Sequence, residues 1–211
     1  MKIGDIAVQQ NLIRISKLVD DSAGFLNAMG QHIFDMMKIL RPFKGVKRAK
    51  LLFKIADQAI GIDLTKNPEP TCKIGCSHCC YMNVDVFEDE AIYLAQKIKK
   101  GEITYNEEEF EHQKSLDADG LWGDPRPCIF LKDSKCSIYE DRPVGCRKYF
   151  VVVDDPEKTC KMSPYVDREV GTLAMVNAEI VYSALGNISP MGENSSLAFM
   201  LDKALKGGFR K

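Results

Sequence analysis

The sequence predicts a mainly α fold with a small irregular β element, in which helices at both ends enclose a cysteine-rich core. Three observations carry this expectation. Apolar residues recur at helical spacing before residue 62 and again after residue 167. All eight cysteines fall within residues 72–160, with none before or after. The runs with β character are short and lie among or beside those cysteines. With 211 residues, 45% of them hydrophobic, the chain is long enough for one real core. The expectation is therefore a single domain over 1–211, with a helical part at 1–66, the cysteine-rich core at 70–160 and C-terminal helices at 161–211.

Taken in order, residues 5–40 place Ile6, Leu12, Ile15, Leu18, Phe25, Met29, Ile33, Met37 and Leu40 on helical faces. Gly24 and Gly30 predict a break into two helices, and Arg41-Pro42 predicts the end of the run. A second helical pattern covers 46–62, through Leu51, Leu52, Ile55 and Ala59. Lys66-Asn67-Pro68-Glu69-Pro70 reads as a rigid connector. Val84-Asp85-Val86 predicts a short strand. The helix opened by Phe87-Glu88-Asp89-Glu90 runs to about residue 100, acids first and lysines last, as the helix dipole favours. A short helix is expected over 105–115, and a loop over 117–127 that holds Trp122. Cys128-Ile129-Phe130-Leu131 and Cys136-Ser137-Ile138-Tyr139 read as two strands around the turn Lys132-Asp133-Ser134-Lys135. Residues 149–153 read as a third strand, and helices return at 167–185 and 195–206.

Global charge excludes little but steers the reading. The formal net charge is -1 and the pI about 6.3, so nothing draws the whole chain to nucleic acid or an anionic membrane. The first ten residues lack a continuous apolar stretch, and no apolar run approaches the length of about 18 residues that a membrane span needs. The expectation is a cytoplasmic protein without a membrane partner. Thiols stay reduced in that compartment, so eight cysteines confined to one segment point to a metal or to redox chemistry rather than to disulfides.

The first cluster is Cys72-Lys73-Ile74-Gly75-Cys76-Ser77-His78-Cys79-Cys80. Read as a helix, it puts 72, 76, 79 and 80 on one face. Read as a loop, Cys76-x-x-Cys79 makes a two-ligand knuckle. The adjacent Cys79-Cys80 pair is hard to place around one ion and suits two metals, or a second role for one thiol. The second cluster is Cys128, Cys136 and Cys146, with Cys160 further on. The expected hairpin brings Cys128 and Cys136 together. Eight thiols are enough for two four-cysteine sites, for one iron–sulfur cluster with spares, or for a multinuclear site. Arg142 and Arg147 lie close in sequence to the second cluster, as donors that offset thiolate charge. The core is in this sense metal-organised.

Cys72-x3-Cys76-x2-Cys79-Cys80, then Pro127-Cys128-Ile129-Phe130-Leu131, then Cys136-Ser137-Ile138-Tyr139-Glu140-Asp141-Arg142-Pro143-Val144-Gly145-Cys146-Arg147 resemble the YkgJ-type CxxCxxCC zinc- or iron-chelating family over about residues 70–150. The resemblance implies chelation by Cys72, Cys76, Cys79, Cys80, Cys128, Cys136 and Cys146. Cys160 is carried as an eighth candidate. A flagellin lysine methylase family is similar in carrying a related cysteine pattern.

Three functions follow from these residues. The first is a zinc-binding (or iron-binding) module that acts through a protein partner. The second is an iron–sulfur modification enzyme. Cys72-x3-Cys76-x2-Cys79 has the spacing used by radical S-adenosylmethionine enzymes, although no repeated βα units follow it. The third is a nucleic-acid adaptor using the basic stretch 41–50, which reads more simply as a solvated loop. Among the histidines, only His78 is a ligand candidate. His32 reads as a packed or surface residue and His112 as part of a solvated acidic helix. No catalytic triad, phosphate loop or carboxylate pair is evident.

Overall fold

The computed structural model describes residues 22–73, 75–116, 124, 126–154, 160, 172–189 and 195–209. Helix α1 (Ser22–Leu40) buries Met36 and Leu40 completely and packs Met29, Ile33 and Met37 beside them. The expected break at Gly24 or Gly30 is absent. One mid-helix glycine costs only about 1 kcal/mol against alanine, and the apolar stripe on both sides of Gly30 outweighs it. Residues 5–21 of that pattern lie outside the described residues. The turn after α1 is tied down from a distance. Asp89 accepts hydrogen bonds from the Gly45 amide and from Arg48 Nη1 at 2.7 Å, and Arg48 Nε donates to the Phe43 carbonyl at 2.6 Å. Arg48 is therefore a buried structural cation, which removes one charge from the basic stretch 41–50.

Helix α2 (Val46–Leu64) is the central wall. Ala49, Leu52, Ile55, Ala56 and Ala59 are buried along it. It packs against α1, α3 (Glu88–Lys99), α5 (Val144–Arg147) and α6 (Val176–Ile188). On the other side of α3 lies α7 (Leu197–Leu205), which also packs against α4 (Glu107–Lys114). Phe87, Leu94, Ile180, Leu185 and Leu201 fill the space between these helices with almost no exposed surface. Each contributes about 2 kcal/mol by leaving water. Asp63, near the end of α2, accepts from the Asn177 amide (3.1 Å), Asn177 Nδ2 (2.5 Å) and the Ala178 amide (3.0 Å). A carboxylate at this helix start satisfies amides that have no partner inside α6.

The β element is smaller than the sequence predicts. Strands β1 (Leu131–Lys132) and β2 (Lys135–Cys136) form a two-stranded antiparallel hairpin. Its turn residues, Asp133 (φ 49°) and Ser134 (φ 58°), both adopt the left-handed region that a tight two-residue hairpin needs. The runs 128–131 and 136–139 do not extend it. A turn closed by Leu131 N–H to the Cys128 carbonyl precedes β1, and a 3₁₀ turn (Tyr139–Asp141) follows β2. Of the other two expected strands, 84–86 and 149–153, each is reduced to a single bridge: Asp85 with Ser196, and Val151 with Thr172. Helix α6 starts later than expected, and residues 161–171 lie outside the described set. No helix among the described residues is long and apolar enough to cross a membrane.

Candidate metal centre

The first cysteine cluster is a loop, not a helix. Gly75 has φ +94°, a conformation that side-chain-bearing residues rarely adopt and that an α-helix does not contain. The Cys76 amide donates to the Lys73 carbonyl at 3.0 Å. A one-turn 3₁₀ helix (His78–Tyr81) then carries Cys79 and Cys80. Upstream, the loop is anchored by Thr71, whose amide donates to the Val151 carbonyl and whose hydroxyl donates to the Val153 carbonyl, each at 2.9 Å.

The second cluster is carried by three short pieces. Cys128 is joined to the first cluster through the backbone, its amide donating to the Cys80 carbonyl at 2.6 Å. Cys136 closes the hairpin opposite Leu131. Cys146 sits in α5, whose start is fixed by Glu90. One carboxylate oxygen of Glu90 accepts from the Phe87 amide at the start of α3 (3.0 Å), and the other accepts from the Val144 amide (2.8 Å). Gly145 lets α5 lie against residues 84 and 85, because a Cβ there would stand 3.0 Å from a Val84 methyl.

None of the eight cysteines is in a disulfide, and all eight line two adjoining cavities. The larger, about 110 Å³, is lined by Cys76, Cys79, Cys80, Cys128, Cys136 and Cys146, with Phe130 and Ile138 as apolar wall and Arg142 as the cation. The smaller, about 30 Å³, is lined by Cys72, Cys76, Cys79 and Cys160, together with His78. Tyr149 and Met82 belong to both. Among the described residues, no three Cys, His, Asp or Glu side chains already stand close enough to hold one ion. Binding therefore requires the thiols to draw in.

The electrostatics show what would draw them in. Burial pushes the Cys128 thiol up to about 12 and Cys146 well above the ordinary thiol range, with neighbouring sulfurs adding to both. Cys72 and Cys136 are raised by the same cause. Cys80 is raised because its thiol donates a hydrogen bond to Cys79. That bond, helped by the Arg142 charge, pulls Cys79, which keeps an exposed side, down to about 7 against its partial desolvation. So many thiols in one place resist ionisation together. A bound divalent or cluster cation relieves that repulsion and replaces the protons.

Arg142 fits this chemistry. Its guanidinium lies 3.8 Å from the centre of the Tyr139 ring and acts electrostatically on Cys72, Cys79, Cys136 and Cys146. Its Nε is buried with no hydrogen-bond partner among the described residues. A guanidinium that lines the cavity suits sulfur that becomes anionic on binding. Arg147 is placed differently. It is buried, donates to Asp57 at 2.7 Å and to the carbonyls of Arg142 and Glu140, and lies over the Phe53 ring. These contacts lock α5 to α2. Neither Glu90 as the anchor of α5 nor Tyr149 as the wall between the cavities was evident in the sequence. Only the first role of Glu90, a Glu three residues after a helix start, had a local signature.

Residues 71–170 match the family model "CxxCxxCC: Putative zinc- or iron-chelating domain". That segment, 100 of the 211 residues, is similar to the domain of that family. The match runs 20 residues beyond the resemblance described above, ending at 170 rather than 150, and so takes in Cys160 and all eight cysteines. The chain matches no curated protein and no solved structure. The CxxCxxCC segment occupies the middle of the chain. Helices α1 and α2 precede it and α6 and α7 follow it, so the elements that brace the cysteines are partly outside the family match.

Proposed function

We propose that this protein is a metal-binding module, with zinc as the ion and Cys72, Cys76, Cys79, Cys80, Cys128, Cys136, Cys146 and Cys160 as the ligand set. The observation that carries the reading is the gathering of all eight thiols around two adjoining cavities, from segments up to 88 residues apart in the chain. Four thiolates around one zinc leave a charge of about -2, which Arg142 offsets from the cavity wall. When bound, the metal supplies folding energy to loops that have little regular structure of their own. The chain folds as one domain in this reading, since α2 contacts both the helices outside the family match and α5 inside it. That none of the eight cysteines forms a disulfide favours a reducing compartment, the cytoplasm.

The module acts through a protein partner. Tyr81, directly after the Cys79-Cys80 pair, is 42% exposed, and Val152, next to Val151 of the smaller cavity, is 41% exposed. Metal binding fixes the loop that presents Tyr81. The test is elemental analysis with a visible absorption spectrum on full-length protein purified without oxygen. Zinc without colour supports the module. Iron with acid-labile sulfide and a reducible brown chromophore points instead to the iron–sulfur modification enzyme. Protein free of both metals, and unable to take up either, rejects metal binding altogether.

A further inference from the structure

We infer that helix α3 carries a polar stripe of positioning residues, Glu90, Tyr93 and Lys97, which grips the segment 141–147 and so places Cys146 as a ligand and Arg142 as its counter-charge. This inference deepens the metal-binding reading above and rests on it. The three residues stand at i, i+3 and i+7, a spacing that returns to one face of a helix. None of them lines either thiol cavity, so each acts through the segment it holds.

Glu90 holds the far part of the segment. Its side chain is fully buried, and one carboxylate oxygen accepts from the Val144 amide at 2.8 Å, two residues before Cys146. Tyr93 and Lys97 hold the near end. The Tyr93 hydroxyl donates to Asp141 Oδ1 and Lys97 Nζ donates to Asp141 Oδ2, each at 2.5 Å. Asp141 directly precedes Arg142. Hydrogen bonds to a carboxylate are roughly twice as strong as neutral ones. Here the pair is also largely shielded, with side-chain exposures of 21% for Lys97 and 16% for Asp141.

A second tie meets the same segment from α2. The Tyr93 ring packs edge-on against Phe53 at 5.3 Å, and the Arg147 guanidinium lies 4.6 Å from the centre of the Phe53 ring. Arg147 Nε donates to the Arg142 carbonyl at 2.7 Å. The backbone of Arg142 is therefore fixed at its own carbonyl and at the residue before it. This degree of fixing suits a ligand segment. A metal–sulfur bond tolerates an error of only about 0.2 Å, and the one regular element of 141–147 is the single turn of α5.

The experiment uses full-length protein. Tyr93→Phe/Lys97→Met removes both grips on Asp141 and keeps the apolar body of each side chain. Competition with a chromogenic chelator reads its Zn²⁺ affinity, which should fall about tenfold, as when a partner that orients ligands is lost. Tyr93→Phe alone should show a smaller loss in the same direction, and it replaces the double variant if that does not fold. Glu90→Gln keeps an acceptor for only one of the two amides. Its Co²⁺ form should show altered thiolate charge-transfer and ligand-field bands, because Cys146 moves. Ile180→Val, a buried change in α6, should lower the urea midpoint and leave metal affinity and Co²⁺ bands at wild-type values. Wild-type Zn²⁺ affinity in the double variant, or wild-type Co²⁺ bands in Glu90→Gln, overturns the inference and leaves metal binding intact. So does an equal loss of affinity in Ile180→Val, which marks the stripe as a contribution to stability alone. Wild type that takes up neither zinc nor cobalt defeats the metal-binding reading, and this inference with it.

Discussion

At the scale of the residue, the cysteines are ordinary thiols made unusual by their neighbours. Burial and adjacent sulfur keep Cys80, Cys128 and Cys146 protonated in the metal-free protein. Binding must then release protons, so metal affinity should rise with pH. Competition titrations with a chromogenic chelator at pH 6, 7 and 8, corrected for the chelator's own protonation, check this. Affinity independent of pH would mean that the ion does not displace thiol protons. Arg142 is the second residue whose role is specific. Replacing it with Gln removes the charge that faces the thiols while leaving the Pro143-Val144 turn alone. The expected loss in metal affinity is about tenfold to a hundredfold, the usual effect of removing a partner of the ligands. An Arg142→Gln variant with wild-type affinity would show that the guanidinium serves only its stacking on Tyr139.

At the scale of the element, short pieces are placed by long-range anchors. Helix α5 has a single turn and could not stand alone. Glu90 caps its first amide and Arg147 ties its end to α2. Burial lifts the Glu90 carboxyl up to about 7, although its two amide hydrogen bonds oppose the shift. Between its ordinary range and that value, the folded protein holds a proton that the unfolded chain has already released. This group's contribution to stability therefore falls as pH rises from about 4.5 to about 7, by at most about 3 kcal/mol, and then levels off. Urea unfolding of metal-free protein across this range should show a decline that is shallower in Glu90→Gln. The difference between the two slopes is the readout, because Gln also presents an amide group to one of the two N–H donors. Equal slopes would place the Glu90 titration elsewhere.

The elements that were legible in the sequence are those whose signal is local. Helices α2 and α3 carry an unbroken apolar stripe, and α3 has acids at its start. The Asp133-Ser134 turn sits between two short runs. Residues 72–80 were not legible as loop or helix, because spacings of four, seven and eight suit a helical face as well as a knuckle. Only the Gly75 conformation decides between them. Strands 84–86 and 149–153 were overread, since β-branched residues also favour an extended segment that pairs at a single point. The cysteines themselves were legible as a set. Their division between two cavities was not, because it depends on contacts such as Cys128 to Cys80 that bridge 48 residues.

At the scale of the whole molecule, a loop-rich centre is mounted on a helical frame. Helices α1, α2 and α6 form one side of the frame and α3, α4 and α7 the other, with α2 shared. The frame has its own buried core and its own polar locks, Asp63 with Asn177 and Asp89 with Arg48. The second cluster is tied into the core by Ile129, Phe130, Ile138 and Val144, whereas no described residue of 71–82 is buried. Removing the metal should therefore loosen residues 71–82 before the helices melt. Limited proteolysis of chelator-treated protein should cut first in that segment, with far-ultraviolet circular dichroism nearly unchanged. First cleavage within α2 or α6 would mean that the ion holds the frame as well.

The central claim is that sulfur from these cysteines binds the metal. X-ray absorption at the metal edge of the full-length, anaerobically purified protein tests it most directly. The account predicts a first shell dominated by sulfur, about four per ion at about 2.3 Å for zinc. A first shell made only of nitrogen and oxygen, with the thiols still free to react, would contradict it.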